Sequence, residues 1–150
     1  MTLYEKEMIL SWRNDKIIKK WMYKSEDITL DNHLEYIETL ESSNSKQYCV
    51  VKKDNIYIGV VDFTNINFEN SSTDFGLYAN PFEKIAGVGR ILEEICIKYA
   101  FNILKLNTLK LEVFSENVQV VNLHKKFKFK EVDKKVINGK DVICMELKRS

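Results

Sequence analysis

A short glycine-containing loop, residues 84–90, carries the clearest chemical signal in this sequence of 150 residues. The chain has only five glycines, and two of them, Gly87 and Gly89, stand two residues apart where a helix is predicted to begin. Glycine lets a ligand approach the main chain closely. The unpaired N–H groups of a helical first turn, at the positive end of the helix dipole, bind phosphate. We therefore predict a pyrophosphate site formed by Lys84, Ile85, Ala86, Gly87, Val88, Gly89 and Arg90.

Two well-known glycine loops do not match this segment. A dinucleotide-binding fingerprint requires a third glycine where Leu92 stands, and a Walker loop requires Gly-Lys-Ser/Thr after four spacer residues. The pattern that remains is a motif of the form basic-x-x-Gly-x-Gly, which lies between a predicted strand and a predicted amphipathic helix. The alternative is a glycine-rich turn that only begins a helix.

Polar residues near the N-terminus form a second candidate site. Arg13 and Asn14 lie where two predicted helices meet, so that side chains and helix-end amides can converge on an anion. His33 lies beside the apolar stripe of the next helix. Each has a structural alternative: Arg13 can pair with a carboxylate, Asn14 or Asp15 can cap a helix, and His33 can be a half-buried, hydrogen-bonded residue.

Hydrophobic periodicity predicts the elements that position these residues. Apolar side chains three and four residues apart predict helices over 3–22 (in two pieces), 30–41, 88–103 and 118–127. On the long helix, Ile95 and Ile103 fall in the apolar stripe and Glu93 on the polar face. Strands are predicted over 47–53, 56–66, 74–79, 108–114, 129–137 and 141–148. Asp54-Asn55 and Asn138-Gly139 are the expected hairpin turns.

Length and composition limit the class of protein. A chain of 150 residues predicts one domain, 1–150, with a substantial core. The formal net charge of +1 offers no global attraction to nucleic acid or membrane. Three cysteines without Cys-x-x-Cys spacing predict core residues in a reducing compartment. Without a signal segment or a long apolar run, the protein is expected in the cytoplasm, and no metal cluster is predicted.

The loop and the order of elements resemble the GCN5-related N-acetyltransferase (GNAT) family. Further likeness lies in LEVFSEN at 111–117 and NLHKKFKF at 122–129, which are similar to the family's strand ending in Glu-Asn and its helix reading Leu-Tyr-x-x-x-Gly-Phe. Here His124 replaces the tyrosine and Lys128 the glycine. The resemblance implies an α/β (α+β) fold with a mixed, mostly antiparallel sheet of six to seven strands. Helices flank this sheet, and it is splayed where acetyl-coenzyme A (acetyl-CoA) binds.

Within the family, three stretches look like the nucleotide-sugar N-acetyltransferases of pseudaminic acid biosynthesis. They are WRN at 12–14 with WM and HL following, IGVVDFTNI at 58–66 and FGLYANP at 75–81. These enzymes acetylate the 4-amino group of UDP-4-amino-4,6-dideoxy-N-acetyl-altrosamine, on a route that leads to flagellin glycosylation. The resemblance implies that the UDP-amino sugar is bound by Arg13, His33, Thr64 and Tyr78.

The same resemblance implies roles for residues around the thioester. Glu112 stands twelve residues before His124, the separation between base and acid in several relatives. A carboxylate can take the ammonium proton through water, and imidazole can protonate the leaving thiolate. Glu112 can instead form a salt bridge, and Tyr78 or Tyr99 can be the acid, or the thiolate can leave unassisted. Further contacts to acetyl-CoA are expected from Leu77, Tyr78, Asn117 and Asn122.

Two other functions stay open at this point. A protein N-terminal or side-chain acetyltransferase would have the same cofactor site but an open groove with carboxylates for its acceptor. A non-catalytic domain that binds acetyl-CoA as a regulatory ligand is the other alternative. A homodimer is plausible because members of this family often pair.

Overall fold

Helices make up the N-terminal part of the molecule. The computed structural model describes residues 1–23 and 26–150, with helix α1 at Leu3–Arg13, α2 at Lys16–Lys19 and α3 at Leu30–Glu41. Thr2 begins α1 with a capping box: its hydroxyl accepts from the Glu5 N–H, and the Glu5 carboxylate accepts from the Thr2 N–H. Asp15 and Thr29 cap α2 and α3. The break between α1 and α2 lies where it was predicted.

The described residues form one six-stranded sheet. Its strands are β1 (Gln47–Lys53), β2 (Ile56–Asn67), β3 (Ser72–Ala79), β4 (Thr108–Phe114), β5 (Lys130–Ile137) and β6 (Lys140–Lys148), in the order β1-β2-β3-β4-β6-β5. Only the β3–β4 pair is parallel. Both predicted hairpin turns adopt positive φ angles, 53° and 67° at Asp54 and Asn55 and 53° and 77° at Asn138 and Gly139. The predicted mixed, mostly antiparallel sheet is confirmed.

Strands β3 and β4 pair only at one end. Ser72, Thr73 and Asp74 are in register with Thr108, Leu109 and Lys110. Beyond these three pairs the described strands diverge, although β3 stays paired with β2 as far as Ala79 and β4 with β6 as far as Phe114. The resulting opening between the two strands is the splay that the resemblance implies.

Helices cover both faces of the sheet. On one face, α4 (Val88–Lys98) and α5 (Val118–Lys126) pack over a core that includes Phe63, Phe75, Leu92, Leu109 and Met145. The other face carries Ile9, Trp12 and Ile18 of α1 and α2 against Val60 and Tyr78. On the first face, Gly59 lets α4 pack closely on β2, since a Cβ there would lie 2.7 Å from Cδ1 of Leu92.

The burial of α4 and the turn after it differs from the predicted stripe. Glu93, assigned to the polar face, is 0% exposed, whereas Ile95 and Ile103, assigned to the stripe, are 37% and 64% exposed. A π-helical turn, Tyr99–Ile103, follows α4. A π turn inserts one residue into the helical period, so it rotates Ile103 out of the stripe. Glu93 is buried because it has a partner on α5.

Candidate functional site

The loop before α4 has the geometry of an anion site. Gly87 is the N-cap of α4, with a left-handed φ of 70° and no side-chain cap. Within the helix, Ile91 is the first residue whose N–H bonds back to the Gly87 carbonyl, which leaves the amides of Gly89 and Arg90 without intrahelical partners. These amides lie at the positive end of the helix dipole, as phosphate binding requires. Lys84 is exposed shortly before this turn.

A cavity of about 350 Å³ occupies the opening between β3 and β4; we call it the cleft cavity. Seven predicted site residues line it: Leu77, Tyr78, Val88, Gly89, Glu112, Asn117 and His124. Asn117 begins α5 but makes no side-chain cap, so helix capping does not account for it. Asn122 is exposed, and it lies outside this lining together with residues 84–87 and Arg90.

Glu112 lies on the side of β4 opposite the buried Leu111 and Val113, as predicted. Its carboxylate accepts a hydrogen bond from the Tyr23 hydroxyl at 2.6 Å and forms a salt bridge with Lys135 of β5. Burial raises the pKa of Glu112, but the hydrogen bonds from Lys135 and Tyr23 outweigh it and hold the pKa below its usual value. Glu112 therefore lines the cleft cavity and also forms the salt bridge that was its structural alternative.

His124 is held by a buried carboxylate. It is 5% exposed and packs edge-on against the rings of Phe75 and Phe129. Its Nδ1 forms a hydrogen bond with Oε1 of Glu93, while Oε2 of Glu93 has no partner among the residues described. Because Nδ1 is engaged, Nε2 is the nitrogen left to serve a ligand in the cleft cavity. The pair thus orients the imidazole that was predicted to be the general acid.

A second cavity, of about 960 Å³, lies on the α1–α2 side of the sheet; we call it the acceptor cavity. Three of the four predicted acceptor residues line it: Arg13, His33 and Tyr78. Its wall also contains Tyr23, Tyr36 and Tyr48. Thr64, the fourth predicted residue, lies on β2 outside the lining of both cavities, and its carbonyl accepts a hydrogen bond from Thr73.

The first predicted acceptor residue, Arg13, is available for an anion. No carboxylate of residues 1–23 or 26–150 lies within salt-bridge distance of it. Its neighbour Asn14 has a structural use, because its amide bonds both the N–H and the carbonyl of Ile28. Asn14 therefore joins the end of α1 to Ile28, just before α3, and the Arg13 side chain remains for a ligand.

His33 is both a structural residue and part of the cavity wall. Its Nε2–H donates to the Lys6 carbonyl at 2.8 Å, as the structural alternative expected. Burial lowers the pKa of His33, the Lys6 carbonyl opposes that shift, and the charge of Arg13 adds to it. With Nε2 protonated and the ring neutral, Nδ1 is a hydrogen-bond acceptor.

The two cavities meet at four residues that line both of them, Met22, Tyr23, Asp62 and Tyr78. The Tyr78 hydroxyl makes a hydrogen bond with the Tyr48 hydroxyl, and burial raises the pKa of both phenols. Asp62 is partly buried, and its desolvation raises its pKa to about 6 against the opposing charge of Arg13.

Two acidic residues of this site, Glu93 and Asp62, were missed in the sequence analysis. Glu93 stands beside Leu92 and three residues before Cys96, on the side of α4 that is buried. Asp62 is a lone charge in a strand whose neighbours Val61 and Phe63 are buried. An acidic residue within a run of buried strand positions is the signal that could have found Asp62, whereas the helical pattern placed Glu93 on the polar face and gave no such signal.

The described residues show neither a cluster that could hold a metal ion nor a helix that could cross a membrane. No group of three or more His, Cys, Asp or Glu side chains within 1–23 and 26–150 is arranged to hold a metal ion. No helix in these two ranges has the length and apolar character that a membrane crossing needs.

Comparison with known proteins identifies the family. The sequence pattern of the acetyltransferase (GNAT) domain matches residues 1–130. Acetyltransferase PseH of Campylobacter jejuni subsp. jejuni serotype O:23/36 (strain 81-176) is 40% identical over 146 residues, which are 97% of this chain and 87% of that protein. These matches confirm the predicted resemblance to the acetyltransferases of the pseudaminic acid pathway.

Two solved structures agree with this family assignment. The crystal structure of Campylobacter jejuni N-acetyltransferase PseH in complex with acetyl coenzyme A is 37% identical, with a TM-score of 0.80, and covers 100% of this chain and 94% of that one. The spermidine N-acetyltransferase of Vibrio cholerae, in complex with CoA and spermine, shares the fold with a TM-score of 0.89 at 24% identity, over 99% and 92% of the two chains.

The relatives confirm the predicted fold and the predicted cosubstrate, acetyl-CoA. The free amides at Gly89 and Arg90 and the cleft cavity have the geometry to hold its pyrophosphate and its thioester arm. The chain belongs to the GNAT family and is an acetyl-CoA-dependent N-acetyltransferase.

Proposed function

We propose that this enzyme transfers the acetyl group of acetyl-CoA to the 4-amino group of a UDP-linked dideoxy amino sugar in pseudaminic acid biosynthesis. The observation that carries the proposal is the acceptor cavity. It has room for a nucleotide sugar, it contains Arg13 without a carboxylate partner in the described chain, and it opens into the cleft cavity. The 40% identity to acetyltransferase PseH supports the same class of acceptor.

The walls of the acceptor cavity suit the parts of a UDP-sugar. The Arg13 guanidinium can bind the diphosphate through two parallel hydrogen bonds. Aromatic rings such as Tyr36 and Tyr48 offer flat surfaces to the uracil or the sugar. His33, neutral and with Nδ1 free to accept, suits a hydroxyl or an N–H group rather than the diphosphate. Asp27, which also lines this cavity, is paired with Lys19.

The residues of the cleft cavity suit acyl transfer. Bound acetyl-CoA supplies an activated acetyl group as a thioester. The amides of Gly89 and Arg90 bind its pyrophosphate, and the divergence of β3 from β4 leaves main chain exposed for its arm. We assign His124 as the acid that gives a proton to the departing thiolate, and Glu93 as the positioning residue that holds the ring.

The tyrosines that were alternatives to His124 are engaged elsewhere. The Tyr78 hydroxyl bonds to Tyr48, and burial raises its pKa, which makes it a weaker acid. The Tyr99 hydroxyl donates to Gln47 at 2.7 Å, and Tyr99 lies outside the lining of both cavities. His124 is therefore the acid best placed in the cleft cavity.

The test is release of CoA from acetyl-CoA by the purified protein with three acceptors. These are UDP-4-amino-4,6-dideoxy-N-acetyl-altrosamine, a peptide with a free N-terminus and spermidine. We expect turnover of the sugar. Loss of a charged hydrogen bond costs about 1.5–3 kcal/mol, so Arg13→Gln should raise the KM for the sugar by about 10- to 100-fold. Arg149→Gln removes the same charge at an exposed site and should leave the KM unchanged.

Turnover of the peptide or of spermidine without the sugar would overturn the proposed acceptor. Binding of acetyl-CoA without turnover of any amine would favour the regulatory alternative. The cytoplasmic location, the homodimer and the roles assigned to Thr64 and Asn122 stay predictions.

A further inference from the structure

Asp62 occupies the point where the acceptor must meet the thioester. It is the only carboxylate among the described residues that lines both the acceptor cavity and the cleft cavity. An amine that enters through the acceptor cavity and attacks an acetyl group in the cleft cavity has to pass this junction. A proton acceptor at the junction can therefore reach the amine at the moment of attack.

The backbone holds the Asp62 carboxylate in this place. Asp62 pairs directly with Gly76 across β2 and β3, so both positions point to the same face of the sheet. A Cβ at Gly76 would lie 3.1 Å from Oδ2 and 3.3 Å from Oδ1 of Asp62. The carboxylate thus lies over the backbone of Gly76, close to the space that a side chain at position 76 would occupy. Tyr78 is two residues further along the same face.

The surroundings of Asp62 leave its oxygen atoms free. Within 1–23 and 26–150 it forms no salt bridge, and its side chain accepts no hydrogen bond. The cation that faces it is Arg13; the neutral titratable groups around it are Tyr36, Tyr48, Tyr78, Cys49 and Cys96. Its pKa of about 6 suits a base that works near neutral pH.

Glu112, the predicted base, differs from Asp62 because its carboxylate already has partners. Its carboxylate is engaged by Lys135 and by Tyr23, and these partners lower its pKa. Both effects weaken it as a proton acceptor. Glu112 also lines only the cleft cavity, whereas Asp62 lines both cavities.

We propose that Asp62 is the general base that takes the proton from the acceptor amine. The amine nitrogen forms a bond to the acetyl carbonyl carbon, and the carbon–sulfur bond to CoA breaks. Before the attack, one proton of the ammonium group goes to a carboxylate oxygen of Asp62. After it, the second proton of the nitrogen goes to water, and the thiolate receives a proton from His124. This assignment rests on the proposed transfer to an amine in the acceptor cavity.

The test compares Asp62→Asn with the wild type across pH. Asparagine keeps the shape and cannot accept the proton. We expect kcat/KM to fall by about 100-fold or more, while acetyl-CoA binding, measured by calorimetry, stays unchanged. The wild-type profile should show an acidic limb centred near pH 6 that the variant lacks. Asp54→Asn makes the same chemical change in the exposed β1–β2 turn and should retain full activity and the limb.

An Asp62→Asn variant that keeps both the rate and the limb would overturn the proposal. So would loss of the acidic limb in Glu112→Gln but not in Asp62→Asn. The ratio of variant to wild type is measured on whichever of the three acceptors the wild type acetylates. Failure of the sugar as acceptor is thereby distinguished from failure of Asp62 as base.

Discussion

Glu93 and His124 form a buried pair whose two members depend on each other. Glu93 is 0% exposed, and one of its carboxylate oxygens has no partner among the described residues. A buried carboxylate that loses its remaining partner keeps the desolvation penalty without the compensation. Removing one member of the pair should therefore lower the free energy of unfolding by more than removing both members does.

We expect His124→Phe to lower the free energy of unfolding by about 3 kcal/mol. Adding Glu93→Met should recover most of this loss, because the unpaired carboxylate is then absent. Urea unfolding of the two single variants and the double variant at neutral pH gives the coupling energy. Glu94→Met is the control on the same helix, since Glu94 is exposed and forms only a surface pair with Lys98. Additive losses in the cycle would contradict the buried pair.

The ionised Asp62 carboxylate also lowers the free energy of unfolding at neutral pH. Its pKa is about 6 in the folded protein and 3.8 in the reference state, so the folded state binds the proton more tightly. The protonated Asp62 carboxyl therefore makes its full contribution to the free energy of unfolding below about pH 4, and this contribution is lost as the pH rises through about 6. Above that pH, the ionised carboxylate is partly buried without a salt bridge in the described chain.

We expect Asp62→Asn to raise the free energy of unfolding by about 1–3 kcal/mol at pH values near 7.5. The same variant should differ little from the wild type near pH 4. Urea titrations at the two pH values measure this difference. An equal effect at both would show that packing, and not ionisation, is responsible. A variant that is more stable but inactive is the combination expected when a catalytic group is kept at a cost in stability.

At the scale of elements, the end of α5 shows what replaced the family's glycine. Lys128 has a φ of 76°, a left-handed conformation in which a side chain is strained. The N–H of Phe129 bonds to the His124 carbonyl and the N–H of Lys128 to the Lys125 carbonyl, which together form a Schellman motif. Glycine is the residue that this motif favours at the position of Lys128.

Lys128→Gly should therefore raise the free energy of unfolding by about 1 kcal/mol. Lys126→Gly is the matched control: it places the same change at the last helical residue of α5, where glycine is unfavourable, and should lower stability. Thermal and urea unfolding measure both. If Lys128→Gly destabilises as much as Lys126→Gly, the lysine side chain has a stabilising contact that the helix-end geometry does not show.

At the scale of the whole molecule, the cleft cavity divides the sheet. Strands β1 to β3 and strands β4 to β6 are joined by only three pairs between β3 and β4. Acetyl-CoA in the site proposed for it would contact both parts of the sheet and should hold them together. Binding to the folded state alone stabilises it by about 2.7 kcal/mol at a ligand concentration of 100 times Kd.

We expect acetyl-CoA to raise the Tm and to slow hydrogen exchange in Ser72–Ala79 and Thr108–Phe114 more than in the edge strand Gln47–Lys53. The edge strand serves as the internal control because it lies far from β4 in the strand order. Equal protection of all three strands would contradict a ligand seated in the opening.

The sequence by itself determined the strands, the hairpins and most of the helices, but not the π-helical turn after α4 or the end of α2 at Lys19. Turn residues and apolar periodicity act over a few residues, so the hairpin at Asn138-Gly139 and the helix start at Gly87 could be read from the chain. The family signature paired Glu112 with His124, and the structure shows that both line one cavity.

Only the tertiary structure decided which charged residues are buried and which are paired. Glu93 meets His124 across 31 positions of sequence, and the Glu112 carboxylate meets Lys135 from another strand. The π-helical turn moved Ile103 to the surface. Asp62 became the shared wall of two cavities because β2 and β3 pair it with a glycine. Such contacts join residues far apart in the chain, and local patterns therefore carry no record of them.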